Sequence, residues 1–250
     1  MHYIRITKDN IDKEHICCAM SNKQCVAKKE WLKQRFEEGL VFYRSEERGK
    51  CFIEYIPAES AWVPIEAEDY LYINCLWIAG SMKGHGYSND LLDECLRDAK
   101  AQGKKGLCIL SAKGRKREFL SDPKYLAYKG FLTADTSECG ITLLYLPFAP
   151  DAQPPKFKDC AKRPQTSETG FVIYYTAQCP FTYYWVPRVA EVAAEHGIPL
   201  KTVHITDRET AQNLPAPVTT YALFRDGKFV THAIQSDKKF LKLAQGRCAE

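Results

Sequence analysis

The segment from Tyr70 to Leu92 constrains this chain more than any other. An aromatic and β-branched run, Tyr70 to Ile78, breaks into Gly80-Ser81-Met82-Lys83-Gly84-His85-Gly86, and an amphipathic stretch containing Leu91-Leu92 follows at once. Glycines let a backbone approach a ligand closely, and the first amides of a helix have no partner inside it. A strand, a glycine loop and a helix in that order form a cradle for a phosphate-bearing ligand. The spacing lacks the Lys-Ser/Thr ending of a nucleotide-hydrolase loop and is not the full three-glycine dinucleotide fingerprint.

Composition narrows the partners. At 250 residues the chain can form two modest domains, each with a core. Its 35 basic and 31 acidic residues leave a net charge of +4, too balanced for a nucleic-acid binder without a clustered basic face. No apolar stretch approaches the roughly 20 residues of a membrane span. Met1-His2-Tyr3-Ile4-Arg5 lacks the apolar region of a signal peptide, so no membrane association and a cytoplasmic location are expected. The 11 cysteines include no Cys-x-x-Cys pair, and adjacent Cys17-Cys18 do not make half of a zinc site, so no metal is expected. Cys51, Cys75, Cys95 and Cys108 sit among apolar residues and read as small buried hydrophobes.

Pro147, Pro150, Pro154, Pro155 and Pro164 punctuate a polar stretch with neither helical nor strand period. It reads as a linker or an extended wrapping segment, which gives domains at 1–148 and 170–250 with a Pro-rich linker at 149–169. Ahead of it the pattern predicts strands at Tyr3 to Ile6, Val41 to Tyr43, Cys51 to Ile56, Tyr70 to Ile78, Leu107 to Ser111, Phe131 to Thr133 and Ile141 to Leu146. Helices are expected at Ala27 to Glu38, at Tyr87 to Gln102 and, within Phe119 to Lys129, after its proline. After it the order is strand, helix, strand, short helix, hairpin across Arg225-Asp226-Gly227, and a last helix at Asp237 to Gln245.

In this context Lys83-Gly84-His85-Gly86, after a fourth strand and ahead of a Leu-Leu helix, resembles the pyrophosphate loop of the GNAT N-acetyltransferases. The likeness covers roughly residues 1 to 148, with Ser81 where the family's motif begins on Arg or Gln. It implies an α/β protein with a GNAT acyltransferase fold, a mixed and mostly antiparallel sheet flanked by helices, and acetyl-CoA as co-substrate. The resemblance gives Lys83, Gly84, His85, Gly86, Tyr87 and Ser88 to the pyrophosphate. It gives Leu76, Trp77 and Ile78 to the pantetheine arm, as an added strand aiming a backbone amide at the thioester carbonyl.

Acetyl transfer to an amine requires loss of the ammonium proton and favours a proton donor for the departing thiolate. Tyr125 and Tyr128 lie on the helix before Gly130-Phe131 where the family carries a tyrosine acid, with Leu126 at the family's own spacing; both remain candidates. Glu54 and Glu59, on or just after the third strand, are the candidate bases. The basic run Lys113-Gly114-Arg115-Lys116-Arg117 follows the fifth strand as a solvated loop or a phosphate contact.

The second unit has the element order of a small thioredoxin-like α/β domain. Cys179 stands at a strand-to-helix junction, where a helix N-terminus makes a thiol more reactive. Thr182 occupies the place of a thioredoxin's second cysteine, so a dithiol cycle is excluded; Pro187 matches the helix proline and Thr219 replaces the proline that faces the thiol. A GNAT unit holding Phe52-Ile53-Glu54-Tyr55-Ile56-Pro57-Ala58-Glu59 and Cys75-Leu76-Trp77, followed by such a tail, resembles the YoaP-type acetyltransferases. The expected function is acetyl transfer to a primary amine, of a small molecule or a peptide, by direct attack in a ternary complex in a monomer or homodimer. The alternatives are a monothiol redox protein centred on Cys179 and a non-catalytic acyl-CoA sensor.

Overall fold

The computed structural model describes residues 1–18, 22–112 and 120–246. In chain order the first half contains β1 (Tyr3–Ile6), α1 (Asn22–Arg35), β2 (Val41–Ser45), β3 (Cys51–Pro57), β4 (Ile65–Glu66) and β5 (Tyr70–Ile78). Then come α2 (Tyr87–Ala101), β6 (Gly106–Ala112), α3 (Pro123–Tyr128), β7 (Leu132–Thr136) and β8 (Ile141–Pro147). Among the described residues seven of these strands join in the order β1-β2-β3-β5-β6-β8-β7. Every neighbouring pair is antiparallel except β5 and β6. The sheet is mixed and mostly antiparallel, as the sequence resemblance implies.

Two local features of β5 shape the site. Its register with β3 slips between Glu54 and Tyr55, pairing Glu54 with Cys75 but Tyr55 with Ile73, so Asn74 is the extra residue of a bulge. Its parallel register with β6 runs only from Tyr70 opposite Gly106 to Ile73 opposite Ile109. Past the bulge the two strands part: β6 continues with β8 as far as Ala112, while Asn74 to Ile78 have no partner on that edge among the described residues.

The sheet is covered on both faces. Leu91, Leu92, Cys95 and Ala99 of α2 are buried against Ile53, Tyr55, Ile73 and Ile109. On the other face Trp31 and Leu32 of α1 pack with Phe42, Phe52 and Trp62 in a core that runs on into Val172, Ala222 and Phe224 of the second unit. That unit comprises β10 (Phe171–Tyr175), α5 (Pro180–Glu195), β11 (Leu200–His204), α6 (Arg208–Gln212), β12 (Tyr221–Arg225), β13 (Lys228–Thr231) and α7 (Asp237–Ala244). Its strands lie in the order β11-β10-β12-β13, with β10 and β11 parallel. It docks through specific bonds as well as apolar burial. Gln212 Nε2 donates to the carbonyls of Glu59 and Ala61 at 3.0 and 2.8 Å, and Thr219 Oγ1 donates to the Trp62 carbonyl.

Residues 149–169 wrap rather than dangle. They form β9 (Lys156–Phe157), which pairs with β4, and the single-turn α4 (Asp159–Lys162). The prolines prevent longer elements, but Phe157 and Ala161 are buried, and the Phe157 amide donates to Asp135 Oδ2 at 3.1 Å. The helix expected after the proline of the stretch Phe119 to Lys129 is α3, with Pro123 at its first position and Asp122 capping it by accepting from the Lys124 amide at 2.8 Å. Among the described residues no helix is long and apolar enough to cross a membrane.

Candidate active site

The loop between β5 and α2 presents backbone amides at the start of a helix. A 3-10 turn at Gly80–Met82 uses the amides of Met82 and Lys83 within the loop. Gly84 and Gly86 then take φ values of +84° and +81°, a conformation open to glycine and costly to other residues. α2 begins with no side-chain cap, and the amides from Gly84 to Ser88 have no partner among the described residues. A β-carbon added at Gly84 or Gly86 would meet nothing within 4 Å, so the space over the loop is open. Lys50 Nζ donates to Ser81 Oγ at 3.3 Å, placing a cation beside the position where the GNAT motif carries a basic or amide side chain.

A cleft of about 420 Å3 extends from this loop along the unpaired edge of β5. It brings together Leu76, Trp77, Ile78, Lys83, Gly84, Gly86, Tyr87 and Ser88, all expected from the sequence, and adds Met82, Leu120 and Ser121. His85 is the exception, standing outside the lining with its ring stacked on Tyr87 at 5.7 Å. The dimensions, the free amides and the open strand edge fit a phosphate-bearing ligand with an extended arm. Tyr125 reaches the same cleft, with its hydroxyl 3.4 Å from Asn89 Oδ1. Burial raises its pKa above the ordinary tyrosine value although a hydrogen bond with Ser88 pulls the other way, so the phenol stays protonated at neutral pH. Tyr128, one turn on, is 83% exposed and points to solvent.

On the opposite face of β5 lies a second cavity, of about 320 Å3, between the two units. The register puts Phe52, Glu54, Cys75 and Trp77 on this face and Ile53, Leu76 and Ile78 on the other. Phe52, Asn74, Cys75 and Trp77 form one wall; Gln178, Cys179, Phe181 and Trp185 of the second unit form the other. Trp77 belongs to both the cleft and the cavity.

Glu54 does not reach the cavity as a free base. It is fully buried, accepting from Lys28 Nζ at 2.5 Å and from Asn74 Nδ2 at 2.9 Å. Lys28, itself buried on α1, lines the cavity instead. Burial lowers a lysine's pKa, but the Glu54 carboxylate more than offsets this and the ammonium stays charged with its pKa raised. The sequence carried a signal for this pair: a carboxylate inside the apolar strand Cys51-Phe52-Ile53-Glu54-Tyr55-Ile56 requires a buried cation. Glu59 lies at the far end of β3, where its carboxylate accepts from the Asp69 amide at 2.6 Å and pairs with Lys104 at 3.6 Å. It stands away from both the cleft and the cavity.

The cysteines within the described residues are free thiols. Cys179 is partly buried and faces the cavity, ringed by protein atoms. Desolvation outweighs the Phe181 amide and the Lys28 charge, pushing its pKa up to about 12 rather than down as its place before α5 suggested. Thr182, in the place of a second cysteine, is buried and donates to the carbonyls of Thr176 and Cys179 at 2.8 and 2.7 Å. With an ordinary thiol near 8.5, the Cys179 thiolate fraction at pH 8 is on the order of a thousand-fold smaller. Alkylation of Cys179, followed by peptide mass spectrometry, is expected to be slower by roughly 100-fold, since a high-pKa thiolate is intrinsically more nucleophilic, and to rise about tenfold per pH unit above 8. Fast, selective labelling at neutral pH would restore the reactive-thiol reading. The basic run at 113–117 lies outside the described residues. Among the described residues no three His, Cys, Asp or Glu side chains could together hold a metal ion.

Residues 199–242 match the family described as YoaP-like. Over 247 residues, 97% of this chain and 98% of the relative, the sequence is 45% identical to the uncharacterized N-acetyltransferase YoaP of Bacillus subtilis (strain 168). Among solved structures, PaiA N-acetyltransferase from Thermoplasma acidophilum in complex with coenzyme A aligns at 12% identity and a TM-score of 0.41, covering 59% of this chain and all of that one. A GNAT family acetyltransferase from Brucella melitensis in complex with acetyl-CoA aligns at 14% identity and a TM-score of 0.37, covering 60% and 89%.

Proposed function

This chain belongs to the YoaP family of N-acetyltransferases, and from that membership we propose that it transfers the acetyl group of acetyl-CoA to a primary amine by direct attack in a ternary complex. One observation carries the reading: a phosphate-ready cleft and an open cavity lie on opposite faces of β5 and meet at Trp77. Two reactants entering from the two faces need no covalent enzyme intermediate.

The amides from Gly84 to Ser88 hold the pyrophosphate, and the free edge of Asn74 to Ile78 takes the pantetheine arm as an added strand. Acetyl-CoA, when bound, supplies the activated acyl group. A backbone amide on that edge polarises the thioester carbonyl. The acceptor sits in the cavity, where Glu54 acts as a positioning residue by fixing Lys28 and Asn74 on the wall. Tyr125, kept protonated by burial, is the proton donor for the departing thiolate. Residues 170–250, with a thioredoxin-like order of elements, shape the acceptor site; the raised pKa of Cys179 speaks against a redox role.

The test is a thiol-release assay over a broad amine panel at saturating acetyl-CoA. Amine-dependent appearance of free coenzyme A supports the reading; acetyl-CoA binding with no release by any amine sinks it and leaves a sensor. Removing the Tyr125 hydroxyl in Tyr125→Phe should lower kcat about 100-fold, the low end for a general acid, with acetyl-CoA affinity retained. Tyr128→Phe, on the surface, should stay within about twofold of wild type. Equal losses in both variants would remove Tyr125 from its role.

A further inference from the structure

The cavity's charge and walls identify the class of acceptor, given the acetyl-transfer reading on which this rests. Of its lining side chains, the charged ones are Lys28 and Lys239. The Lys28 charge is matched by Glu54 behind it, whereas Lys239, exposed in the first turn of α7, has no ion-pair partner among the described residues. Among the described residues no carboxylate lines the cavity. A simple alkylamine, protonated at neutral pH, thus meets an uncompensated positive charge. The remaining surface is aromatic, with Trp77, Phe181 and Trp185 around a volume of about 320 Å3, at the small end for ligand sites.

We propose that the acceptor is a free α-amino acid, or a close analogue, with an aromatic or thioether side chain. Its carboxylate pairs with Lys239, and its side chain lies against Phe181 and Trp185. Its amino group turns toward Trp77, where the cavity meets the cleft. Asn74 donates to Glu54 through Nδ2, which leaves its carbonyl oxygen to accept from the incoming amine. The acceptor's ammonium first gives a proton to solvent; the freed nitrogen lone pair forms the bond to the acetyl carbon, the carbon–sulfur bond of the thioester breaks, the thiolate takes a proton from Tyr125, and the second nitrogen proton goes to solvent, from which Tyr125 is reprotonated. Lys239, Phe181 and Trp185 come from the second unit, which makes that unit the carrier of acceptor specificity.

Matched pairs test this: phenylalanine with phenethylamine, tryptophan with tryptamine, and methionine with 3-(methylthio)propylamine, in the thiol-release assay with the full-length chain. The carboxylate-bearing member should have a kcat/KM at least about tenfold higher, through KM, the order of one charge-assisted contact. Lys239→Glu should cut kcat/KM for the amino acids by a further factor of about ten or more and spare the plain amines. Equal or faster turnover of the plain amines overturns the proposal, as does a ratio unchanged in Lys239→Glu. Calorimetry with acetyl-CoA on the same preparation separates the two levels. Binding without acetylation of any pair overturns the acceptor class, and absence of binding takes down the acetyl-transfer reading itself.

Discussion

Gly84→Asp with Gly86→Asp is expected to abolish acetyl-CoA binding in isothermal calorimetry while leaving the chain folded. Two costs combine. Each residue must hold a left-handed backbone, at φ +84° and +81°, which costs a non-glycine residue about 1–2 kcal/mol. Each side chain then brings a negative charge to the amides expected to receive a pyrophosphate; like charges about 4 Å apart near a surface repel by up to ~4 kcal/mol. Even half of that sum is more than a thousand-fold in affinity, since each 1.4 kcal/mol is about tenfold. Because a β-carbon at either glycine meets nothing within 4 Å, Gly84→Ala with Gly86→Ala isolates the backbone cost. The alanine pair should bind more weakly by roughly ten- to a thousand-fold, the conformational cost alone, and the aspartate pair more weakly still. Unchanged affinity in the aspartate pair would remove the loop from the cofactor site.

The elements that position this loop were readable because each is local. β5 shows itself by its aromatic and branched residues, α2 by Leu91, Leu92, Cys95 and Ala99 on one face, and the turn between them by its glycines. The acceptor cavity has no such signature. Lys28, Asn74, Cys179, Trp185 and Lys239 meet only after α1, the β5 bulge, α5 and α7 pack together, and no period in the sequence links positions so far apart. The bulge at Asn74 is likewise invisible to alternation, although it re-aims every side chain from Cys75 onward. Cys179 shows the limit of local electrostatics. Its position before α5 predicts an activated thiol, but the docking of the second unit buries it, and desolvation outweighs the helix terminus. Residues 149–169 read as a linker or a wrapping segment because prolines erase periodicity, and the burial of Phe157 and Ala161, which no period announces, decides for wrapping.

Lys28→Met is expected to cost about 3–5 kcal/mol, because it strands a fully buried carboxylate in an apolar strand. In a chain of 250 residues this corresponds to a drop in Tm of roughly 10 °C. The pH dependence carries the diagnosis. In the wild type the Lys28 pKa is raised in the folded state, so its contribution is fully present below the ordinary lysine value and declines only as pH rises through the folded one. Lys28 therefore contributes no change in stability between pH 5 and 8. In Lys28→Met the stranded carboxyl takes up a proton on folding, and stability falls as pH rises across that window. Lys28→Met with Glu54→Leu removes both charges and should recover most of the loss and the flat pH profile, since apolar replacement of a whole buried pair is close to neutral. Thermal melts of the three proteins at pH 5 and pH 8 decide it. If the single and double variants lose the same stability with the same pH profile, the pair is not what holds α1 to β3. If the double variant is stable but its kcat/KM for the acceptor has collapsed while acetyl-CoA still binds, Lys28 and Glu54 serve the cavity wall rather than the fold.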